Sequence, residues 1–117
     1  MILGEAGKER IADAIARADA CFISPAAVVE ITMVLARSIR EPRAALAVYL
    51  QNTGIRICTL DPAHAEFAQE AFLKFGKGRH PARLNFGDCF SYAAAKALNA
   101  SLLYVGDDFA KTDIRTA

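Results

Sequence analysis

The sequence predicts an α/β domain, a short parallel sheet covered by helices on both faces. Two observations carry this reading. Short apolar runs recur at 21–23, 55–60 and 102–105, and helix-length stretches separate them. Strands joined through helices fall into parallel sheets with a helical layer on each side. The bulk properties agree. The chain has 117 residues, 54% of them hydrophobic, and a net charge of +1. That length suits one domain, and a chain of this size buries roughly 65% of its unfolded surface. A disordered chain would be less apolar and more charged.

The elements follow in order. Residues 5–19 carry Ile11, Ala14, Ile15 and Ala18 at helical spacing, with Lys8, Glu9, Asp13 and Arg17 on other faces. Cys21-Phe22-Ile23 reads as a short strand. Ser24-Pro25 then supplies an N-cap and a proline at the first helical position. That helix is expected to run to about Arg40, where Glu41-Pro42 punctuates the chain. A further helix fits 42–52 and breaks at Asn52-Thr53-Gly54. Residues 55–60 alternate as a strand, and Asp61-Pro62 caps a helix reaching about Phe75. Gly76 opens a basic loop that lasts to Leu84. A helix over 87–98 leads to the buried strand at 102–105, which Gly106 ends. No internal repeat, low-complexity tract or linker divides residues 1–117, so a single domain is expected.

Several classes are disfavoured. No apolar run reaches the ~18 residues that span a bilayer, and no secretory signal is visible. Cys21, Cys58 and Cys89 are odd in number and form no Cys-x-x-Cys zinc pattern. They read as reduced, buried thiols of a cytoplasmic protein. The near-neutral charge does not point to nucleic acid, so any such role rests on local patches.

The chemistry lies in the acids. Asp107-Asp108 follow the buried run 101–105, at the carboxyl end of a strand, where open α/β sheets place their ligands. They cannot both point one way along an extended chain. One is expected to enter the cleft and the other to cap the next turn. Glu30 is the single charge in residues 26–36. A buried ionised carboxylate is costly, so Glu30 either faces a solvent stripe, pairs with an arginine, or turns into a cleft as a metal or water ligand. Asp88 opens a helix and serves either as its N-cap or as a ligand. Asp113 is a further candidate, or an exposed turn acid. Carboxylates gathered in this way bind hard cations such as magnesium.

The loop Gly76-Lys77-Gly78-Arg79-His80-Pro81-Ala82-Arg83 is either solvated or positioned to hold phosphates. His80 is a weak general-base candidate. His64, within a helical run, reads as surface. The aromatic residues are assigned to the core, and no stacking platform for single strands is evident.

Three stretches together resemble PIN-domain toxins, the ribonuclease halves of VapBC-type toxin–antitoxin modules. They are Ser24-Pro25-Ala26-Ala27-Val28-Val29-Glu30, residues 76–92 with Leu84-Asn85-Phe86-Gly87-Asp88-Cys89-Phe90-Ser91-Tyr92 at their end, and Val105-Gly106-Asp107-Asp108-Phe109-Ala110-Lys111-Thr112-Asp113-Ile114. The resemblance covers the whole chain in order. It implies a PIN-like three-layer α/β/α fold and an endoribonuclease dependent on Mg2+ or Mn2+. The family's helix glutamate falls on Glu30, its helix-start aspartate on Asp88 and its strand-end aspartate on Asp108, with Asp107 and Asp113 as further acidic positions. Lys77, Arg79 and Arg83 would dock the RNA backbone. The implied partners are a cognate antitoxin protein and a second copy in a homodimer.

One departure accompanies this resemblance. Family members open with a central strand ending in Asp, a metal ligand. Met1-Ile2-Leu3-Gly4-Glu5 resembles the stretch after that strand, so the central strand and its Asp are expected to be missing. That leaves a second reading, an impaired PIN domain acting as an antitoxin-binding or dimerisation module. A third, a phosphoacceptor receiver-like domain, fits poorly. Its acid pair comes early in the chain, whereas this one comes at 107–108.

Overall fold

The computed structural model describes residues 2–3, 18–103 and 109–115. The expected helix over 5–17, the pair Asp107-Asp108 and the end of the last strand lie outside them. The described elements are β1 (Ile2–Leu3), β2 (Phe22–Ile23), α1 (Pro25–Leu35), α2 (Pro42–Thr53), β3 (Arg56–Ile57), α3 (Pro62–Phe75), α4 (Phe86–Ala97) and β4 (Leu102–Leu103), followed by a 3-10 turn, Phe109–Lys111.

The four strands form one parallel sheet in the order β3-β2-β1-β4. The predicted α/β class and short parallel sheet stand. The expectation of a vacant centre is corrected: Ile2–Leu3 lies between β2 and β4, pairing Ile2 with Phe22 and Leu102. The physical reason is backbone satisfaction, because a parallel sheet without its middle leaves two buried edges unpaired.

Strand alternation separates two cores. Cys21 and Ile23 point to one face, where they pack with Ala27 and Ile55 against Val28, Ile31 and Leu50. Phe22 points to the other, toward a larger cluster built from α3, α4 and β4 that includes Ala68, Ala71, Leu84, Tyr92, Leu102 and Phe109. Successive strand residues face opposite sides, so α1 and α2 cover one face and α3 and α4 the other. These are the three layers expected. Ala93, Ala94 and Ala95 are all buried, and their small side chains let α4 settle deep between the sheet and α3.

Local chemistry explains the helix ends. The Ser24 hydroxyl accepts the Ala26 N–H at 3.1 Å, with Pro25 following it, as the sequence indicated. Gly54 ends α2 at φ 72°, a left-handed conformation that favours glycine. Asp61 caps α3 by accepting the His64 N–H at 3.1 Å. Two elements are shorter than expected. Helix α1 stops at Leu35 rather than near Arg40, because residues 36–40 are all exposed and nothing packs to hold another turn. Strand β3 keeps only Arg56–Ile57 of 55–60, since it is an edge strand with one partner. At the other edge, the Leu102 N–H donates to the Arg115 carbonyl at 2.7 Å, and so the C-terminal stretch covers β4.

Candidate metal and nuclease site

The site is built at the first turn of α4. Asn85 is the N-cap: its side chain accepts the Asp88 N–H at 2.8 Å, and Asp88 Oδ2 accepts the Asn85 N–H at 3.0 Å. This reciprocal pair is a capping box. Asp88 therefore stands at the third helical position, and Asn85 takes the cap that was one of the two readings of Asp88. The Asn-x-x-Asp spacing was the signal that could have shown this. Asp88 is 8% exposed and opens a helix whose dipole favours its negative charge. The charge has a neighbourly effect: burial, reinforced by Asp88, pushes the Cys89 thiol up to about 11. Cys89 is thus a packing thiol. Burial likewise raises Cys21 and Cys58, and all three cysteines are thiols rather than disulfide halves.

Glu30 comes to this turn from α1. Its carboxylate occupies the space where a side chain on Gly87 would begin, with Oε2 2.7 Å from the position of an added Cβ. Gly87 is buried, has an ordinary helical backbone and directly precedes Asp88. The glycine is there for close approach rather than for backbone freedom. Glu30 itself is exposed, which fits the cleft-facing and solvent-facing readings together. The structure thus brings Glu30 against Gly87, the residue before Asp88, across most of the chain. Asp107 and Asp108 fall outside the described residues. Among the described residues, no three Asp, Glu, His or Cys side chains converge on one cation.

Asp113 stands apart from that pair. Its Oδ1 accepts the Tyr92 hydroxyl at 2.7 Å, and its Oδ2 lies 3.4 Å from the Lys96 ammonium. Burial pushes the Asp113 carboxyl up, but Tyr92 and Lys96 outweigh it and hold it below the usual range. Tyr92 is fully buried, and its phenol is driven well above its ordinary value by burial and then by Asp113. The sequence reading did not single out Tyr92. Its signal was a hydroxyl-bearing aromatic one turn below Asp88 in an alanine-rich helix.

The basic loop is closed at its base by a parallel bridge. Gly76 bridges to Leu84, the Lys77 N–H donates to the Leu84 carbonyl at 3.0 Å, and the Leu84 N–H returns to Phe75 at 2.9 Å. This closure sets Lys77 beside the Leu84-Asn85 lead into Asp88. Lys77, Arg79 and Arg83 are exposed. Arg79 is anchored by its Nε on the Leu73 carbonyl at 3.1 Å, with its guanidinium over Phe72. His80 has a structural post: its Nδ1 accepts the Ala82 N–H at 3.0 Å and its ring meets Phe75 edge-on. His64 is corrected from surface to buried, at 6% exposure. Its Nδ1 pairs with Asp61 at 2.9 Å, while its Nε2 is buried without a partner among the described residues. The Asp61 cap draws the ring inward.

Glu30, against the first turn of α4, and Asp88, within it, carry hard oxygen donors of the type that magnesium or manganese accepts, with the basic loop alongside. Such an ion takes one or two carboxylates and completes its shell with water and phosphate. One oxygen of Asp88 is committed to the capping box.

The sequence matches the PIN domain family over residues 1–115, and the chain belongs to that family. Within it, the relatives are VapC-type ribonucleases. Ribonuclease VapC42 of Mycobacterium tuberculosis is 36% identical over 119 aligned positions, covering 100% of this chain and 91% of that protein. Ribonuclease VapC30 of the same organism is 35% identical, covering 99% and 89%, and VapC36 is 40% identical over 105 positions, covering 89% and 76%. The crystal structure of Mycobacterium tuberculosis VapC20, titled as a toxin that cleaves the sarcin-ricin loop, superposes with a TM-score of 0.71 at 19% identity, covering 99% of this chain and 97% of that one. That likeness concerns the fold.

Proposed function

We propose that this protein is a metal-dependent endoribonuclease, the toxin of a toxin–antitoxin module. The observation that carries the reading is the approach of Glu30 to Gly87, next to Asp88 in the first turn of α4, in a chain related to VapC ribonucleases along its whole length. Glu30 and Asp88, with Asp108, would hold Mg2+ or Mn2+. When bound, the ion supplies activation of water and neutralises charge at the scissile phosphate. The chain's own residues supply the rest. The capping box fixes the Asp88 carboxylate against α4, and Glu30 orients water or shares the ion. Lys77, Arg79 and Arg83 dock the RNA backbone through phosphate contacts that carry little sequence information. Asp107 remains a supporting acid in this reading.

The partners follow from the same chemistry. A cognate antitoxin would place an arginine on the Glu30–Asp88 acids, a charge-assisted contact in the cation's place. A second copy would cover an apolar groove of about 800 Å3 between α3 and α4. No described helix is long and apolar enough to cross a membrane, and the free thiols fit a cytoplasmic setting. The test is cleavage of a mixed RNA substrate with Mg2+. Cleavage should vanish with EDTA and fall to background in Asp88→Asn. Undiminished cleavage by Asp88→Asn would discard the assignment. Binding of the antitoxin without any cleavage in Mg2+ or Mn2+ would favour the impaired-module reading.

A further inference from the structure

We propose that Asp113 is a positioning residue rather than a metal ligand: through Tyr92 and Lys96 it pins the stretch beginning one residue after Asp108 to the helix that carries Asp88. This inference rests on the nuclease reading above for what the pin serves, but the pin itself is geometric. Both Asp113 oxygens have partners on α4, the Tyr92 hydroxyl at 2.7 Å and the Lys96 ammonium at 3.4 Å. The ammonium also lies over the Tyr92 ring, 5.5 Å from its centre, so the three side chains form one closed cluster. Asp88, Tyr92 and Lys96 follow at four-residue intervals on one face of α4, about 6 Å apart along the axis. The pin therefore attaches on the stripe that begins with the candidate ligand.

The surroundings of Asp113 are those of an anchor. Glu30, Asp88 and Asp113 are all described, and they do not converge on one cation. The stretch is also fastened on either side of Asp113. Phe109 is 3% exposed within the α3–α4 core, and Arg115 bonds Leu102 through its carbonyl and Asn99 through its guanidinium. Between these points, the Thr112 hydroxyl donates to the Phe109 carbonyl at 2.7 Å and accepts the Ile114 N–H at 3.2 Å, tightening the turn that presents Asp113. A residue held this way fixes where Phe109 sits, and Asp108 is bonded to Phe109.

The test compares Asp113→Asn, Asp113→Ala, Tyr92→Phe and Asp88→Asn. Asparagine keeps the acceptor for Tyr92; alanine removes it. Mn2+ bound by each variant is counted by electron paramagnetic resonance, and RNA cleavage is measured at saturating Mn2+. Asp113→Asn is expected to bind the same number of ions as the wild type and to keep its rate within about threefold. Asp113→Ala and Tyr92→Phe should keep the ion count and lower kcat about tenfold, the scale of a residue acting through another. Their double variant should be no worse than either alone. Loss of ions in Asp113→Asn, matching Asp88→Asn, would overturn the proposal. Amide exchange reads the pin without reference to metal: it should rise across 109–115 in Tyr92→Phe and Asp113→Ala but not in Asp113→Asn. Unchanged exchange in all three would also overturn it. Full metal binding by Asp88→Asn would instead sink the nuclease reading and leave the exchange result to decide the pin.

Discussion

At the scale of single residues, the most instructive is Gly87. The sequence marked Glu30 and Asp88 because charges are rare in apolar helices and common at helix starts, but it did not mark the glycine that lets Glu30 approach the first turn of α4. Nothing in a local pattern distinguishes a glycine kept for φ from one kept for space. Gly87 has an ordinary helical backbone, and the Glu30 carboxylate fills the position of its missing side chain. Gly87→Ala therefore sets two effects against each other. Alanine favours a helix by about 0.5–1 kcal/mol, yet its methyl displaces Glu30. The expected outcome is RNA cleavage reduced by tenfold or more with little change in thermal midpoint. Full activity with a raised midpoint would show that Glu30 needs no such approach. The Asp113 carboxyl was legible as an acid near the site, whereas its commitment to Tyr92 was not, because that contact spans 21 residues.

At the scale of elements, the caps were the most legible feature. Ser24-Pro25, Asp61-Pro62 and Gly54 announce helix ends through covalent geometry and local hydrogen bonds, and the structure uses them so. Lengths were less legible, since packing decides whether a turn beyond the cap is kept, as at 36–40. The α3 cap carries a pH dependence. The side-chain hydrogen bond from His64, followed by the His64 backbone N–H, holds the Asp61 carboxyl below its usual range. A depressed carboxyl contributes stability that is present above its unfolded value of about 3.9 and is lost as pH falls through the lower folded value. Asp61→Asn retains a cap acceptor but cannot titrate. Urea midpoints of wild type and Asp61→Asn should therefore converge as pH drops from about 5 to below 3. A constant gap across that range would show that the charge plays no part in the cap.

At the scale of the whole molecule, alternation of strands and helices foretold the layers, and the two cores on either side of Phe22 and Ile23 confirm them. The filled centre of the sheet was not foretold. A two-residue strand is too short for any periodicity, and only its two paired edges reveal it. The apolar groove between α3 and α4 was equally hidden, because the aromatic Phe72 and Phe86 read as core yet are 44% and 77% exposed, with Leu73 58% exposed beside Phe72. Exposed apolar surface of this kind marks an interaction face. In the proposed homodimer, Leu73→Glu places a charge on this face and should shift sedimentation from dimer to monomer with the fold intact. An unchanged dimer would move the interface elsewhere. The most direct test of the central claim is calorimetric titration of Mn2+ into the purified chain, beside Glu30→Gln and Asp88→Asn. Saturable binding is expected for the wild type, weakened at least tenfold by either substitution. Equal binding by all three would contradict a metal site built from these two helices.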